Sequence, residues 1–343
     1  MRKIRLIGIL LFSAMLAGNT FIYNIVPQKE FSVLENRSLE TRPEFRLSDL
    51  LNGDYQEHYE TYLNDQMFQR DRWVSLAVTL ERLAGKKEIN GVYIGKDGYL
   101  LEKYDDSDLE DVQIEENIRI LSSFLNDAAA RYGKKRTTFL MIPDKAAALP
   151  DKLPAYANAG IEKDNSVLTA LKSRLSEPEI VLDAGPILRD HQDEYIYYRT
   201  DHHWTTFGAW YAYRAWARHT GHPARALEDF SRETIFDDFY GTTYNKVHIK
   251  VPADEVELFH HPAENGIVIN VDDGDLLSDS FYFPNEAAEG FNRYNVFFSK
   301  NTARIHIQTA ADTDRCLLVV KDSFANCFLP FLPGDYKEML MIY

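Results

Sequence analysis

Apolar positions recur every three or four residues along several stretches of this chain, and those stretches predict helices. Between residues 55 and 84, Trp73, Leu76, Ala77, Leu80 and Leu83 fall on one face, and Gly85 stops the run. Between 112 and 132, Ile114, Ile118, Leu121, Leu125, Ala128 and Tyr132 do the same, and Gly133 ends the pattern. Further helices are predicted at about 166–176, shortly after Pro186, and at 206–219, the last with Thr205 or Thr206 as its cap. Residues 91–101 read as a hairpin turning at Lys96-Asp97-Gly98. Short apolar runs at 137–142, 180–182 and 195–199 read as strands. Strands that alternate with helices predict a three-layer α/β/α arrangement, a mostly parallel sheet covered on both faces.

The stretch from about 222 to 312 breaks this alternation. Its β-like runs at 246–251, 266–271, 281–283 and 304–308 read as a β-rich insertion between two parts of one α/β domain spanning 27–343. The earlier pattern then resumes. Residues 316–320 form a buried-strand run, Lys321-Asp322-Ser323 a turn, 324–332 a short helix, and 337–343 another strand. A sheet domain that ends inside a strand reads as truncated.

Composition narrows the partners. The formal net charge is −15, with 45% hydrophobic and 27% charged residues. That describes a globular fold and argues against nucleic acid, which needs a basic surface. Residues 1–26 read as a targeting segment. Arg2, Lys3 and Arg5 precede a mostly apolar run that reaches Val26, long enough for a membrane anchor, and no clean small-x-small cleavage pair follows. An uncleaved anchor is favoured over a cleaved signal, and in both cases the positive start leaves the remaining chain outside the cell membrane. Cys316 and Cys327 make no disulfide framework and read as two buried thiols.

The chemistry concentrates in Thr200-Asp201-His202-His203-Trp204. His203 is a general-base candidate, and Asp201 is placed to hold its other nitrogen. In extended chain, residues two apart face the same side, so His202 points away as a structural hydrogen-bonding residue. Trp204 reads as a wall. Ser323 lies between a strand and a helix, at the end of a parallel sheet where ligands gather in open α/β folds. From this placement it reads either as a cap of that helix or as the nucleophile that His203 activates. Ser280 shares the Asp-Ser-Phe context, but strand follows it, so Ser323 is preferred. Two other readings stay open. Asp201, His202 and His203 are also residue types that bind zinc or manganese, the start of a metal-dependent hydrolase site. The fold is equally compatible with a non-catalytic envelope scaffold or glycan-binding protein.

Thr200 to Trp204 resembles the name-giving motif of the DHHW family, membrane-anchored extracytoplasmic proteins of bacteria. Those proteins are similar to alginate O-acetyltransferases, which carry an SGNH-hydrolase-like domain. Other blocks agree: Arg42-Pro43-Glu44-Phe45, Asn64-Asp65-Gln66, Val92-Tyr93-Ile94-Gly95, Ile142-Pro143-Asp144-Lys145, Gly241-Thr242 and Lys321-Asp322-Ser323. Met67-Phe68 stands where the family often has Phe-Pro, and Lys321-Asp322 where ordinary SGNH enzymes have Gly-Asp. The resemblance implies an SGNH-like fold with catalytic Asp201, His203 and Ser323, and it suggests Gly241 as a backbone oxyanion donor. It implies transfer of an acetyl group to or from a cell-wall or exported polysaccharide, by a transferase or an esterase. No cofactor or metal is implied. A multi-pass membrane O-acyltransferase is the implied partner, since acetyl-CoA is absent outside the cell. It also implies further chain beyond Tyr343.

Overall fold

The computed structural model describes residues 25–32, 37–103, 111–272, 274, 276–290 and 292–343, with only scattered positions before 25. The segment read as an anchor, residues 1–26, therefore lies largely outside the described residues. No helix among the described residues is long and apolar enough to cross a membrane. The chain divides into two compact units, one of residues 1–86 with 245–249, the other of 87–244 with 250–343.

The first unit opens with a short antiparallel pairing of β1 (Phe31–Ser32) and β2 (Arg37–Ser38), followed by α1 (Leu47–Asn52), α2 (Asp54–Asp65) and α3 (Arg70–Leu83). The single helix expected over 55–84 is two helices. Gln69 adopts the left-handed region (φ 54°) and breaks the run beside Met67-Phe68. Trp73, Leu76, Leu80 and Leu83 do share a face of α3, and that face is exposed. The buried carboxylate of Asp65 anchors β2, accepting from Arg37 Nη1 (3.0 Å), Arg37 Nη2 (2.5 Å) and the Glu40 N–H (2.8 Å).

The second unit begins with β3 (Glu88–Ile89), β4 (Val92–Ile94) and β5 (Leu100–Glu102), an antiparallel sheet turning at Lys96–Gly98 as expected. Helix α4 (Asp111–Tyr132) precedes β6 (Phe139–Met141), α5 (Lys145–Ala148), α6 (Ile161–Ser173), β7 (Val181–Asp183) and α7 (Gly185–Arg189). Strands β6 and β7 pair in parallel. Ile118 and Leu125 of α4 meet Leu168 and Leu171 of α6 and Val181 in a small core of their own. Helix α8 (Thr206–Thr220) starts at Thr205, whose Oγ1 accepts the Gly208 N–H at 3.2 Å.

The remaining elements are β8 (Ser231–Phe239), α9 (Tyr244–Val247), β9 (Asp254–His260), β10 (Val268–Val271), β11 (Leu276–Ser278), α10 (Pro284–Glu289), β12 (Arg304–Gln308), β13 (Cys316–Val320), α11 (Ala325–Phe328) and β14 (Glu338–Ile342). A five-stranded sheet runs in the order β11-β10-β12-β14-β13, and only its β13–β14 pair is parallel. Strands β8 and β9 form a separate antiparallel ribbon.

The architecture is mixed α/β, and its sheets are small and mixed. The mostly parallel sheet expected from the alternation is corrected by this topology, in which antiparallel pairs predominate among the described strands. Strands β10 to β12, from the stretch read as an insertion, share a sheet with β13 and β14. Residues 246–251 are not a strand, because α9 occupies their start. The run at 281–283 supplies only an isolated bridge, Tyr282 to Phe297. The strand expected at 195–199 is likewise one isolated bridge, Tyr197 to Trp204. Cys327 is buried, whereas Cys316 is exposed, so the pair of buried thiols is reduced to one.

Candidate active site

The pentapeptide lies in a tight turn. The Tyr198 N–H donates to His203 O (3.2 Å) and the Thr205 N–H to Ile196 O (3.0 Å), closing a narrow loop around residues 199–202. Asp201 and His203 face the same way because of an Asx-type contact, the His203 N–H on Asp201 Oδ1 at 3.0 Å, rather than because of strand pleating. Both side chains are buried.

Ser323 reaches this pair from the loop after β13. Its Oγ lies 2.8 Å from His203 Nε2, and His203 Nδ1 lies 2.6 Å from Asp201 Oδ1. A carboxylate at Nδ1 puts the ring proton there and leaves Nε2 as the acceptor for the serine hydroxyl. The two segments are 120 residues apart in sequence. The second carboxylate oxygen of Asp201 accepts from the Thr242 N–H (2.9 Å) and Thr242 Oγ1 (3.1 Å). Burial alone would raise the Asp201 carboxyl. The charge and hydrogen bond of His203, with His202 and the Thr242 N–H, outweigh that and hold it well below the usual carboxylate range.

Three aromatic residues hold His203 and Ser323 together. Tyr294 stacks on the His203 ring (centroids 3.7 Å apart, 6° between planes), and its hydroxyl donates to Ser323 O at 3.0 Å. The Trp204 indole N–H donates to Phe324 O at 3.0 Å. Phe324 in turn packs 5.0 Å from the His203 ring. Trp204 is therefore more than a wall, since it ties the motif to the backbone that carries Ser323. His202 makes a hydrogen bond, with Nδ1 2.6 Å from Thr242 Oγ1, but it does not point away as expected: its ring lies 3.8 Å from that of His203, because the segment is a turn and not extended strand.

Two expectations are corrected. Gly241 was expected as an oxyanion donor, but its N–H donates to Thr200 Oγ1 at 3.1 Å inside the protein. What the structure requires at 241 is the absence of a side chain, since a Cβ there would lie 2.3 Å from Asp201 Oδ2. The helix expected at 324–332 is one α-turn, Ala325–Phe328, followed by a 3-10 turn, Leu329–Phe331. So short a helix adds little dipole to the site. The alternative serine, Ser280, takes part in local turn bonds with Ser278 and with the Tyr282 N–H.

Asp201, His202 and His203 offer metal-ligand atoms that all lie within 4.8 Å of one another. Both Asp201 oxygens, both His203 nitrogens and His202 Nδ1 are already hydrogen-bonded. An ion binding all three would have to break the Asp201–His203 contact or displace Ser323.

Sequence reasoning missed four neighbours: Thr242, Tyr294, Lys145 and Asp254. The Lys145 Nζ is buried and donates to Tyr198 O (3.0 Å), Arg199 O (3.2 Å) and Asp201 O (2.7 Å). The Asp254 carboxylate, fully buried, accepts from the Arg199 N–H (2.7 Å), the Thr200 N–H (2.7 Å), Thr200 Oγ1 (2.5 Å) and the Tyr195 hydroxyl (2.5 Å). Lys145 and Thr242 lay in motifs that could have flagged them. Asp254 and Tyr294 had no local signal.

Comparisons with known proteins agree with the motifs. The DHHW protein family model matches residues 179–342, and the model for an SGNH hydrolase-like domain of the acetyltransferase AlgX matches 92–236. A DHHW family protein from Eubacterium siraeum is similar in structure, with 23% identity and a TM-score of 0.56, over 74% of this chain and 83% of that one. PatB1 of Bacillus cereus is similar with 19% identity and a TM-score of 0.59, over 73% of this chain and 86% of that one. PatB1 is also known with a sulfonyl adduct, and that structure is 21% identical with a TM-score of 0.56, covering 72% and 84%. No curated protein sequence matches the chain. The resemblance drawn from Thr200 to Trp204 is borne out: this chain is similar to DHHW proteins over residues 179–342, and to the AlgX-type SGNH hydrolase-like domain over 92–236.

Proposed function

We propose that this protein transfers acetyl groups to or from a cell-wall or exported polysaccharide, using Ser323 as nucleophile, His203 as general base and acid, and Asp201 as the partner of the imidazole. The observation that carries this reading is Ser323 Oγ at 2.8 Å from His203 Nε2, with Asp201 Oδ1 at 2.6 Å from Nδ1. His203 takes the serine proton as Ser323 Oγ attacks the carbonyl carbon of an acetyl ester. Asp201 stabilises the imidazolium that forms. The proton passes to the departing alkoxide, the ester C–O bond breaks, and an acyl-serine remains. An acceptor hydroxyl then gives its proton to His203 and attacks the acyl carbon, the bond from that carbon to Ser323 Oγ breaks, and His203 returns the proton to Oγ, which regenerates the free serine. If the acceptor is a sugar hydroxyl the protein is a transferase, and if it is water an esterase. The Ser323 backbone N–H is the natural first donor to the oxyanion.

The polysaccharide substrate is supported at family level by the match to an acetyltransferase domain. In this reading the domain is a three-layer SGNH-like unit, held outside the cell membrane by an anchor in residues 1–26. Acetyl groups reach it from a multi-pass membrane O-acyltransferase.

The test is turnover of 4-nitrophenyl acetate by the wild type and by Ser323→Ala, with and without a chelator. Labelling of Ser323 by a sulfonyl fluoride is followed in parallel by intact mass. We expect single labelling of the wild type, and a rate loss of roughly 10³-fold or more in Ser323→Ala. Undiminished turnover in Ser323→Ala sinks the triad. Loss on chelation would instead favour a metal at Asp201, His202 and His203, and no turnover at all would favour a scaffold.

A further inference from the structure

We propose that Lys145 is a positioning residue, which together with Asp254 frames the turn carrying Asp201 and His203 between two buried charges. The proposal deepens the triad reading above and rests on it for its catalytic consequence.

The turn needs such a frame. Among the described residues 198–201 belong to no strand ladder: the one bridge nearby is Tyr197 to Trp204, and single backbone bonds reach Arg199 O from the Leu100 N–H (2.8 Å) and Thr200 O from the Tyr244 N–H (2.8 Å). Their buried peptide groups still require partners. On the carbonyl edge, one ammonium supplies all three of its donors, to Tyr198 O, Arg199 O and Asp201 O. On the N–H edge, one carboxylate takes the Arg199 and Thr200 N–H groups and the Thr200 hydroxyl. The peptide groups between them point their positive ends at Asp254 and their negative ends at Lys145. A cation and an anion thus fill most of the places that a strand ladder would fill on the two edges.

Lys145 is held in place for this task. It follows β6 as the first residue of α5, where Asp144 Oδ1 accepts the Ala147 N–H at 2.8 Å. The Tyr197 hydroxyl donates to Pro143 O at 2.6 Å and fastens the same segment to the turn. The shortest of the three lysine bonds falls on the carbonyl of Asp201 itself, so the ammonium fixes the backbone from which the carboxylate projects. A lysine buried this fully is costly unless its charge is used. Burial pulls it down to about 8, against the opposing pull of Asp254, Asp201, Glu102 and Asp144. Removing the ammonium leaves Tyr198 O and Asp201 O without that donor, while Arg199 O keeps the Leu100 N–H at 2.8 Å, and it frees the turn to shift at Asp201 while Ser323 and the substrate surface keep their residues.

The experiment compares wild type, Lys145→Met and Lys145→Gln. Each is checked for folding by circular dichroism and thermal melting. Two readouts follow. One is kcat and KM on 4-nitrophenyl acetate. The other is the downfield proton resonance of His203 Nδ1–H, assigned by its absence in His203→Ala. We expect a folded Lys145→Met to lose about 10²-fold in kcat, the scale of a displacement of about 1 Å. KM should stay within about threefold, and the Nδ1–H resonance should move or vanish. If Lys145→Met does not fold, Lys145→Gln, which keeps two donors without the charge, is read instead, with a kcat loss of at least about tenfold expected. Wild-type kcat with an unshifted resonance in either folded variant overturns the proposal. The resonance needs no turnover, so the two ideas fail separately. An inactive wild type whose resonance is lost in Lys145→Met keeps the frame and discards the acyl-transfer reading.

Discussion

Gly241→Ala tests the site through a single methyl group. Gly241 does not occupy the left-handed region, so an L-residue meets no backbone penalty there and the effect is one of contact alone. An ideal Cβ would lie 2.3 Å from Asp201 Cβ, 2.3 Å from Oδ2 and 2.7 Å from Cγ. Comfortable carbon contacts are about 3.5–4.0 Å, so something must yield by about 1 Å. The Asp201 side chain is fully buried and tied at both oxygens, to His203 on one and to Thr242 on the other. It moves only by giving up one of those ties. Overpacking of this kind costs about 1–3 kcal/mol of stability. A carboxylate displaced by about 1 Å from the imidazole costs about 10²-fold in kcat. The assay is kcat on an acetyl ester, with thermal melting to confirm folding. The same substitution decides what Gly241 does. An oxyanion donor keeps its N–H in Gly241→Ala and stays active, whereas a space for Asp201 is lost. A folded variant with kcat within about threefold of wild type would refute the spatial argument.

Other consequences follow from the same contacts. Tyr294→Phe keeps the ring on His203 and loses the bond to Ser323 O, so kcat on the ester should fall severalfold, about 1 kcal/mol. Tyr294→Ala also loses the stack and should fall further. Asp254→Asn puts an amide donor among four donors and should destabilise the fold by about 3 kcal/mol in urea unfolding. In the first unit, Arg37 holds the Asp65 carboxyl below its usual range. A depressed carboxyl contributes stability above its unfolded value of about 3.9, and that contribution is lost as pH falls through the folded value. The stability gap between wild type and Asp65→Asn, measured by urea unfolding, should therefore be full at about pH 6 and narrow on acidification below about pH 4. A gap that does not change with pH would refute the assignment.

Local elements with strong periodicity were legible in the chain. Helix α4, helix α8 with its Thr205 cap, the hairpin at Lys96–Gly98 and strands β12 and β13 lie where the patterns put them, but β13 is not the buried strand expected, since it edges its sheet with Cys316, Leu318 and Val320 exposed. In each, the apolar spacing and the cap or turn residue point the same way. Strand β8 was missed because residues 231–238 are mostly polar and exposed, so burial leaves no alternation to read there, whereas β9 does alternate, with Val256 and Leu258 buried beside Glu255 and Glu257. The run at 195–199 was misread as strand for the opposite reason. Its Tyr-Ile-Tyr-Tyr run is mostly buried and aromatic, yet its backbone bonds go to the turn itself and, at Tyr198 O, to the Lys145 side chain rather than to a strand ladder.

The sequence by itself determined the chemical types and their order: a carboxylate two residues before an imidazole, a serine after an apolar strand, and an acidic chain beginning with a basic, apolar segment. Those are properties of neighbours along the chain. Only the tertiary structure decided that Ser323 meets His203 and that Gly241 serves Asp201 by lacking a side chain. It alone showed Lys145 and Asp254 closing on the turn from opposite edges. Each of these depends on groups brought together from distant segments, where burial makes an unpaired polar group costly and so fixes its partner. No local pattern records which residue will answer that need.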